Sequence, residues 1–347
     1  MLITYSIRRL KWIFLIFCIG FVVYLWSTTF WWSFVPVSHS LRRCVQDISG
    51  SQSDENLENQ CRNIGPKLRG VIFVHSAPSN FVLRQAIRRS YGSKELGQKM
   101  KIPTFFMIGR TQHTPLQDIL ELEKKANGDI IQFSFVDTYK NLTYKHLRGL
   151  QWVISHCSFA NFVIKSDDDI IINIFRLSNF LDQIKFNTTV TNRLICRVWE
   201  DPLVMRNNTS KWCVSEKEYA HMYYPSYCAG AAYIMTMKVA KILHHISKFM
   251  PFFWIDDVYV TGILAKKVRL KHHYIENEYS FIDDPDSVLV EREGAIFTHI
   301  NRDGDSYLKS YMERWKDIVN IETQGFSSNY TELKKGNTLN ASLSQEN

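Results

Sequence analysis

Apolar positions along this 347-residue chain fall into two regimes. From Trp12 to Val37 no residue is Asp, Glu, Lys, Arg or His. From Lys67 onward, short apolar runs alternate with segments whose apolar residues recur at three- and four-residue steps. The runs Val71–Val74, Thr104–Ile108, Ile130–Phe135, Phe162–Lys165 and Leu194–Val198 predict strands. The periodic segments Phe81–Tyr91, Leu116–Asn127, Leu142–His156 and Ile174–Phe186 predict helices. Such alternation predicts an α/β domain with a mostly parallel sheet and helices on both faces. Ligands of sheets of this kind bind at the carboxyl ends of the strands.

The uncharged Trp12–Val37 stretch exceeds the ~20 apolar residues that span a bilayer. Arg8, Arg9 and Lys11 precede it, which predicts a cytoplasmic tail at 1–11 and an uncleaved signal anchor at 12–37. A cleaved signal peptide is the alternative, but the stretch is too long for one and lacks a small-residue cleavage site. Residues 38–66 contain no Phe, Trp or Tyr and read as a lumenal stem. A catalytic domain is expected over 67–320 and a polar tail over 321–347. Glycosylation sequons at Asn141, Asn187, Asn207, Asn208, Asn329 and Asn340 agree with a secretory address. So does the cysteine count. Of seven cysteines, Cys18 lies in the apolar span, and Cys44, Cys61, Cys157, Cys196, Cys213 and Cys228 could form disulfides. Cys44–Cys61 is the pairing expected, because both flank a stretch that otherwise lacks structure.

The net charge of +8 suits phosphorylated small molecules or an anionic membrane face. The basic residues are scattered and no nucleic-acid-binding signature accompanies them, so no nucleic-acid partner is expected. Clustered acids carry the chemistry. Lys165-Ser166-Asp167-Asp168-Asp169 closes the apolar run Phe162–Lys165, and three adjacent carboxylates at a strand end call for a cation. Hard oxygen ligands suit Mn²⁺ or Mg²⁺, ions that hold phosphate oxygens. The structural alternative is an acidic cap on the helix beginning near Ile174. Asp256-Asp257, after Trp254, should not both ionise cheaply, and a carboxylate with a raised pKa is a candidate general base. The same pair could cap the helix leading into Val258. Tyr224–Tyr233 combines tyrosines with Gly230 and alanines, a composition suited either to ligand contact or to a buried strand. Arg84 and Arg88 share a helical face, suited to phosphate or to solvent. His299 ends an apolar run, as a core residue or as a ligand to a metal. Neither a Walker phosphate loop nor a GxGxxG motif is present.

Together these segments resemble the inverting β-1,3-glycosyltransferases, the family of β-1,3-galactosyl- and β-1,3-N-acetylglucosaminyltransferases. Arg84–Gly92 resembles R-x-x-I-R-x-T-W-G, with Ser90-Tyr91 for Thr-Trp. Phe106–Gly109 is similar to F-x-x-G, Asp137–Lys145 to D-x-Y-x-N-L-T-x-K, and Lys165–Asp169 to K-x-D-D-D. Tyr224–Tyr233 resembles Y-P-x-Y-C-x-G-x-x-Y, and Asp256–Val260 stands where the family has E-D-V-Y-V. The resemblance implies a GT-A fold, a UDP-sugar donor, Mn²⁺ (or Mg²⁺) and a single-pass type II protein of the Golgi membrane. It implies Asp257 as base and Asp169, Asp167 and His299 at the metal. Arg84, Arg88, Lys165 and Asp168 would surround the nucleotide sugar, and Trp254, Asp256, Tyr227 and Gly230 the acceptor. The implied reaction moves galactose from UDP-galactose to a sugar 3-hydroxyl on a glycoprotein or glycolipid. N-acetylglucosamine and N-acetylgalactosamine are the alternative donor sugars. A catalytically silent folding partner or lectin, and a metal-dependent phosphohydrolase, are the readings from other classes. Ser134, Ala229, Ala231-Ala232 and Asp256 depart from the family pattern without removing a proposed catalytic group.

Overall fold

A computed structural model describes residues 60–65, 67–281, 295–300 and 307–322. Its centre is a seven-stranded sheet of β1 (Gly70–His75), β2 (Thr104–Arg110), β3 (Ile130–Val136), β4 (Phe162–Asp167), β6 (Arg193–Cys196), β9 (Ala232–Thr236) and β10 (Lys271–Tyr274). They lie in the order β10-β6-β9-β4-β1-β2-β3. β1 pairs in parallel with β2 and β4, β2 with β3, and β10 with β6, while β9 runs antiparallel to β4 and β6. The sheet is therefore mixed but mostly parallel, as the alternating pattern predicts.

The period-two geometry of a strand sends successive side chains to opposite faces, and both faces here are covered. Val71, Phe73, Phe105, Met107 and Val163 pack with Leu150 and Val153 of the helix Leu142–His156 and with Leu243 of the helix Met237–Ser247. Ile72, Val74, Phe106, Ile108 and Ile164 pack on the other side. Their partners are Ile87 of the helix Phe81–Arg88, Leu177 and Leu181 of the helix Ile174–Ile184, and Tyr311 of the helix at 307–322. Gly149 lets the Leu142–His156 helix lie close to the sheet: a Cβ there would stand 3.2 Å from Phe73 and Met107. This helix carries Lys145 and His146 to the carboxyl end of the sheet.

Two smaller sheets finish the carboxyl end. β5 (Ile170–Ile172) pairs antiparallel with β12 (Phe297–His299), which pairs in parallel with β11 (Tyr279–Phe281). β7 (Val198–Trp199) pairs with β8 (Tyr227–Cys228). The run expected as one strand, Leu194–Val198, is thus divided between β6 and β7. The helices expected to reach Tyr91 and Phe186 end at Arg88 and Ile184. The predicted anchor at 12–37 lies outside the described residues, among which no helix is long and apolar enough to cross a membrane. Most of the predicted stem and of the polar tail is outside them too, with Asn329 and Asn340. Asn187, Asn207 and Asn208 are exposed. Asn141 instead donates Nδ2 to the Val136 carbonyl at 2.8 Å, and Thr143 of its sequon is buried against Phe253 O.

The expected Cys44–Cys61 pairing is corrected. Cys61 is bonded to Cys157, 96 residues on, and Cys196 to Cys228, while Cys213 is free. The short helix Gln60–Asn63 brings Cys61 to the residue that ends the Leu142–His156 helix, a neighbour in space that sequence distance conceals. Replacing Cys61 and Cys157 together by Ser should cost ~2–5 kcal/mol. A shift of the denaturant midpoint is the measure, and an unchanged midpoint would show the bridge does not form.

Candidate active site at the carboxyl end of the sheet

Three strand ends and one irregular turn converge here. Parallel register sets His75 of β1 opposite Asp167 of β4, and antiparallel register sets Lys165 of β4 opposite Tyr233 of β9. Asp256 and Asp257 open a π-helical turn, Val258–Leu264, a wide geometry that recurs at functional sites. Thr261 stitches that turn to β8. Its Oγ1 donates to the Asp257 carbonyl at 2.6 Å and accepts from the Cys228 N–H at 2.9 Å.

Lys165 is the hub. Its ammonium is buried, donating to Asp167 Oδ1 at 2.6 Å and to the Gly230 carbonyl. Burial works against this charge, but Asp167, Asp256 and Asp257 overcome it and hold its pKa above the ordinary lysine value. The two adjacent carboxylates separate in the opposite sense from each other. Burial opposes ionisation of Asp256, yet hydrogen bonding from His146 and the charge of Lys165 hold it well below the usual range. Burial and then the Asp256 charge push Asp257 up to about 7. Asp257 also caps its own turn, accepting from Val258 N at 2.8 Å, so the raised carboxyl and the expected cap meet at one side chain. Gly230 faces it: a Cβ there would lie 2.7 Å from Asp257 Oδ2, a clash that keeps the position open to glycine.

The acid triplet divides its labour. Asp167 is raised to about 7 by burial and by the Asp169 charge, against the pull of Lys165. Asp168 is buried the other way, accepting from Asn80 Nδ2 at 2.9 Å. Asp169 meets His299, Oδ2 to Nε2 at 3.6 Å, because β12 registers His299 against Ile170. None of the three caps the next helix, since Asn173 does so by accepting from Arg176 N at 3.1 Å. A half-exposed carboxylate–imidazole pair beside further carboxylates is a donor set that fits Mn²⁺ or Mg²⁺.

Around Asp257 stand Tyr227, Tyr139 and Trp254. Burial, then Asp257, push the Tyr227 hydroxyl up. Tyr139 is raised to about 12 by burial, then by Asp257 and Asp256, with a hydrogen bond from Trp212 opposing the rise. The Lys140 ammonium lies 3.3 Å from the centre of the Trp254 ring.

Arg84 and Arg88 are corrected. Arg84 is fully buried, bonding Glu123 through Nε at 2.8 Å and the Ala77 and Pro78 carbonyls at 2.6 and 3.1 Å. Arg88 pairs with Glu123 at 2.6 Å and Asp129 at 2.7 Å. With their forks committed to these partners, Arg84 braces the loop after β1 and offers a ligand no surface, while Arg88 ties its helix to Glu123 and Asp129.

Several residues of the site carried no chemical signal of their own in the sequence. Lys145, buried, donates to Ser76 O at 2.7 Å and to Asp137 at 2.9 Å, and Asp137 accepts from Gly109 N at 2.6 Å. These contacts tie the ends of β1, β2 and β3, and only the resemblance of Asp137–Lys145 pointed to them. His146 sits 3.1 Å from Asp256, His75 stands 3.8 Å from it, and Tyr233 bonds His146 at 2.7 Å. His75, His146 and Asp256 bring ligand-type atoms within 4.8 Å of one another. Direct hydrogen bonding and the Lys165 charge already hold this cluster together.

The family model described as Galactosyltransferase matches residues 83–276. Beta-1,3-galactosyltransferase 5 of Homo sapiens is 32% identical over 224 residues, covering 65% of this chain and 70% of the relative. Beta-1,3-galactosyltransferase 1 of Mus musculus is 33% identical over 215 residues, covering 62% and 64%. Among solved structures, a glycosyltransferase involved in glycosylation of the major capsid of PBCV-1 aligns over 72% of this chain and 98% of its own, at 8% identity and a TM-score of 0.40.

Asp167 and Asp257 have folded-state pKa values near 7, above the ~4 of an unfolded Asp. Their contribution to stability is complete below about pH 4 and is lost as pH rises through about 7. In chelator, denaturant midpoints should fall over that window, and Asp257→Asn should lessen the fall. Superimposable pH curves for the two proteins would rule out the raised carboxyl.

Proposed function

The chain belongs to the galactosyltransferase family, and on that premise we propose that it moves galactose from UDP-galactose to the 3-hydroxyl of an acceptor sugar on a glycoprotein or glycolipid. The product is a β-1,3 linkage formed with inversion, in the Golgi lumen, by a type II protein anchored through residues 12–37. The observation that carries the reading is Asp257, a half-buried carboxyl raised to about 7 at the carboxyl end of the sheet and packed against Gly230.

Asp257 acts as general base. As the acceptor 3-hydroxyl oxygen bonds to the anomeric carbon, its proton passes to Asp257 and the bond from that carbon to the UDP oxygen breaks. One displacement inverts the configuration and leaves no covalent enzyme intermediate. Ionised Asp256 keeps Asp257 basic, and Lys165 holds the Gly230 backbone that faces it. Asp169 and His299, with Asp167 alongside, would hold a divalent ion, which when bound supplies charge against the departing diphosphate. Asp168, locked to Asn80, shapes the turn that presents Asp169. The aromatic groups Tyr227, Tyr139 and Trp254 wall the acceptor side, where rings stack on sugar faces.

Full-length protein in detergent, offered UDP-galactose, UDP-N-acetylglucosamine and UDP-N-acetylgalactosamine with capped saccharides, should transfer galactose best and give a β-1,3 product. Transfer of another sugar, or phosphate release alone, would overturn the reading. Asp257→Asn should keep metal-assisted UDP binding and lose ~10²–10⁴-fold in kcat. Asp169→Ala should instead lose the metal-dependent part of UDP binding by calorimetry. Because the base form of Asp257 fills as pH rises through about 7, kcat/KM should climb over that limb. Gly230→Ala should lower kcat ~10²-fold by displacing the carboxylate.

A further inference from the structure

Behind the base runs a line of three buried side chains from three different elements. Tyr233, on β9, is fully buried, as is His146, on the helix Leu142–His156. Tyr233 Oη lies 2.7 Å from His146 Nε2, and His146 Nδ1 lies 3.1 Å from Asp256 Oδ2. The two rings stack at 5.8 Å with 13° between their planes, so the hydroxyl and the imidazole edge cannot swing independently.

Proton bookkeeping along this line has one solution for a neutral imidazole. The Tyr233 hydroxyl donates to Nε2, which must then carry the lone pair. The single ring proton sits on Nδ1 and donates to Asp256. Burial lowers the His146 pKa and raises that of Tyr233, so both stay in the forms this arrangement needs. Other groups facing the carboxylate are His75 from β1, Lys165 and Asp167 from β4, Tyr139 just before the helix that carries His146, and Asp257 beside it. Among them, His146 gives Asp256 its one side-chain hydrogen bond of ordinary length within the described residues.

Resting on the reading of Asp257 as base, we infer that Tyr233 and His146 are positioning residues. They hold Asp256 as an oriented anion turned away from the acceptor, so that Asp257 alone receives the proton. Without the line, Asp256 competes for the proton that Asp257 should take, since adjacent carboxyls titrate as a pair. His146 touches no reacting atom; its effect passes through Asp256.

Tyr233→Phe tests this with little change in shape, removing one oxygen and freeing His146 to move its proton to Nε2. In the full-length protein, kcat should fall ~10-fold or more while KM for UDP-galactose stays within about twofold. The acidic limb of the pH–rate profile should move to lower pH, because a proton resting on Asp256 leaves some Asp257 ionised. His146→Gln, which keeps an N–H donor, should retain more activity than His146→Leu. Wild-type kcat in Tyr233→Phe would overturn the inference, and so would a lower kcat with an unmoved limb, which marks a merely structural role. Retention of one equivalent of metal by Asp169→Ala protein, lost in His146→Leu, would also overturn it by making the cluster an ion site. Should the wild-type protein transfer no sugar at all, the proposed function fails separately. The line is then read from stability alone: Tyr233→Phe should move the pH-dependent loss of denaturant midpoint to lower pH, and an unmoved curve would count against it.

Discussion

One buried ammonium makes the rest of this site feasible. Asp167, Asp256 and Asp257 crowd together at the end of the sheet, partly withdrawn from water, where like charges are costly. Lys165 answers all three and also grips the Gly230 carbonyl. Leaving such a group of carboxylates without their cation would cost ~3–5 kcal/mol or force protonation. The outcome is graded: one acid well below its normal range, two raised to about 7. A single cation distributes three different duties.

Around that charge the fold is built for stiffness. The loop following β1 is fastened by Arg84, the ends of β1, β2 and β3 by Lys145 and Asp137, and the π-helical turn by Thr261. Each fastening uses a buried polar group whose hydrogen bonds are met, the condition under which such networks rigidify a core.

Much of this was legible beforehand, for identifiable reasons. The strands β1, β2 and β4 announce themselves because both faces of the sheet are covered there and their buried runs are almost wholly apolar. β10, with the sequence Lys271-His272-His273-Tyr274, lies at the sheet edge and shows no such run. The acid clusters stood out because adjacent carboxylates need an explanation wherever they fold. Their partners did not. Glu123 lies 39 residues from Arg84, and Tyr233 lies 87 residues from His146, so no local pattern links them. Two arginines on one face looked like a phosphate clamp because charge is visible in a sequence and neutralisation is not.

The Cys196–Cys228 bridge reaches further than its own neighbourhood. Cys228 holds Thr261 through its backbone N–H, and Thr261 holds the carbonyl of Asp257. The placement of Asp257 therefore descends from a covalent bond that only a thiol-oxidising compartment makes. A copy of this chain folded among reducing cytosolic thiols would carry every side chain of the site and still lack the frame that aims Asp257, so the oxidation state of its surroundings is written into the geometry of the site.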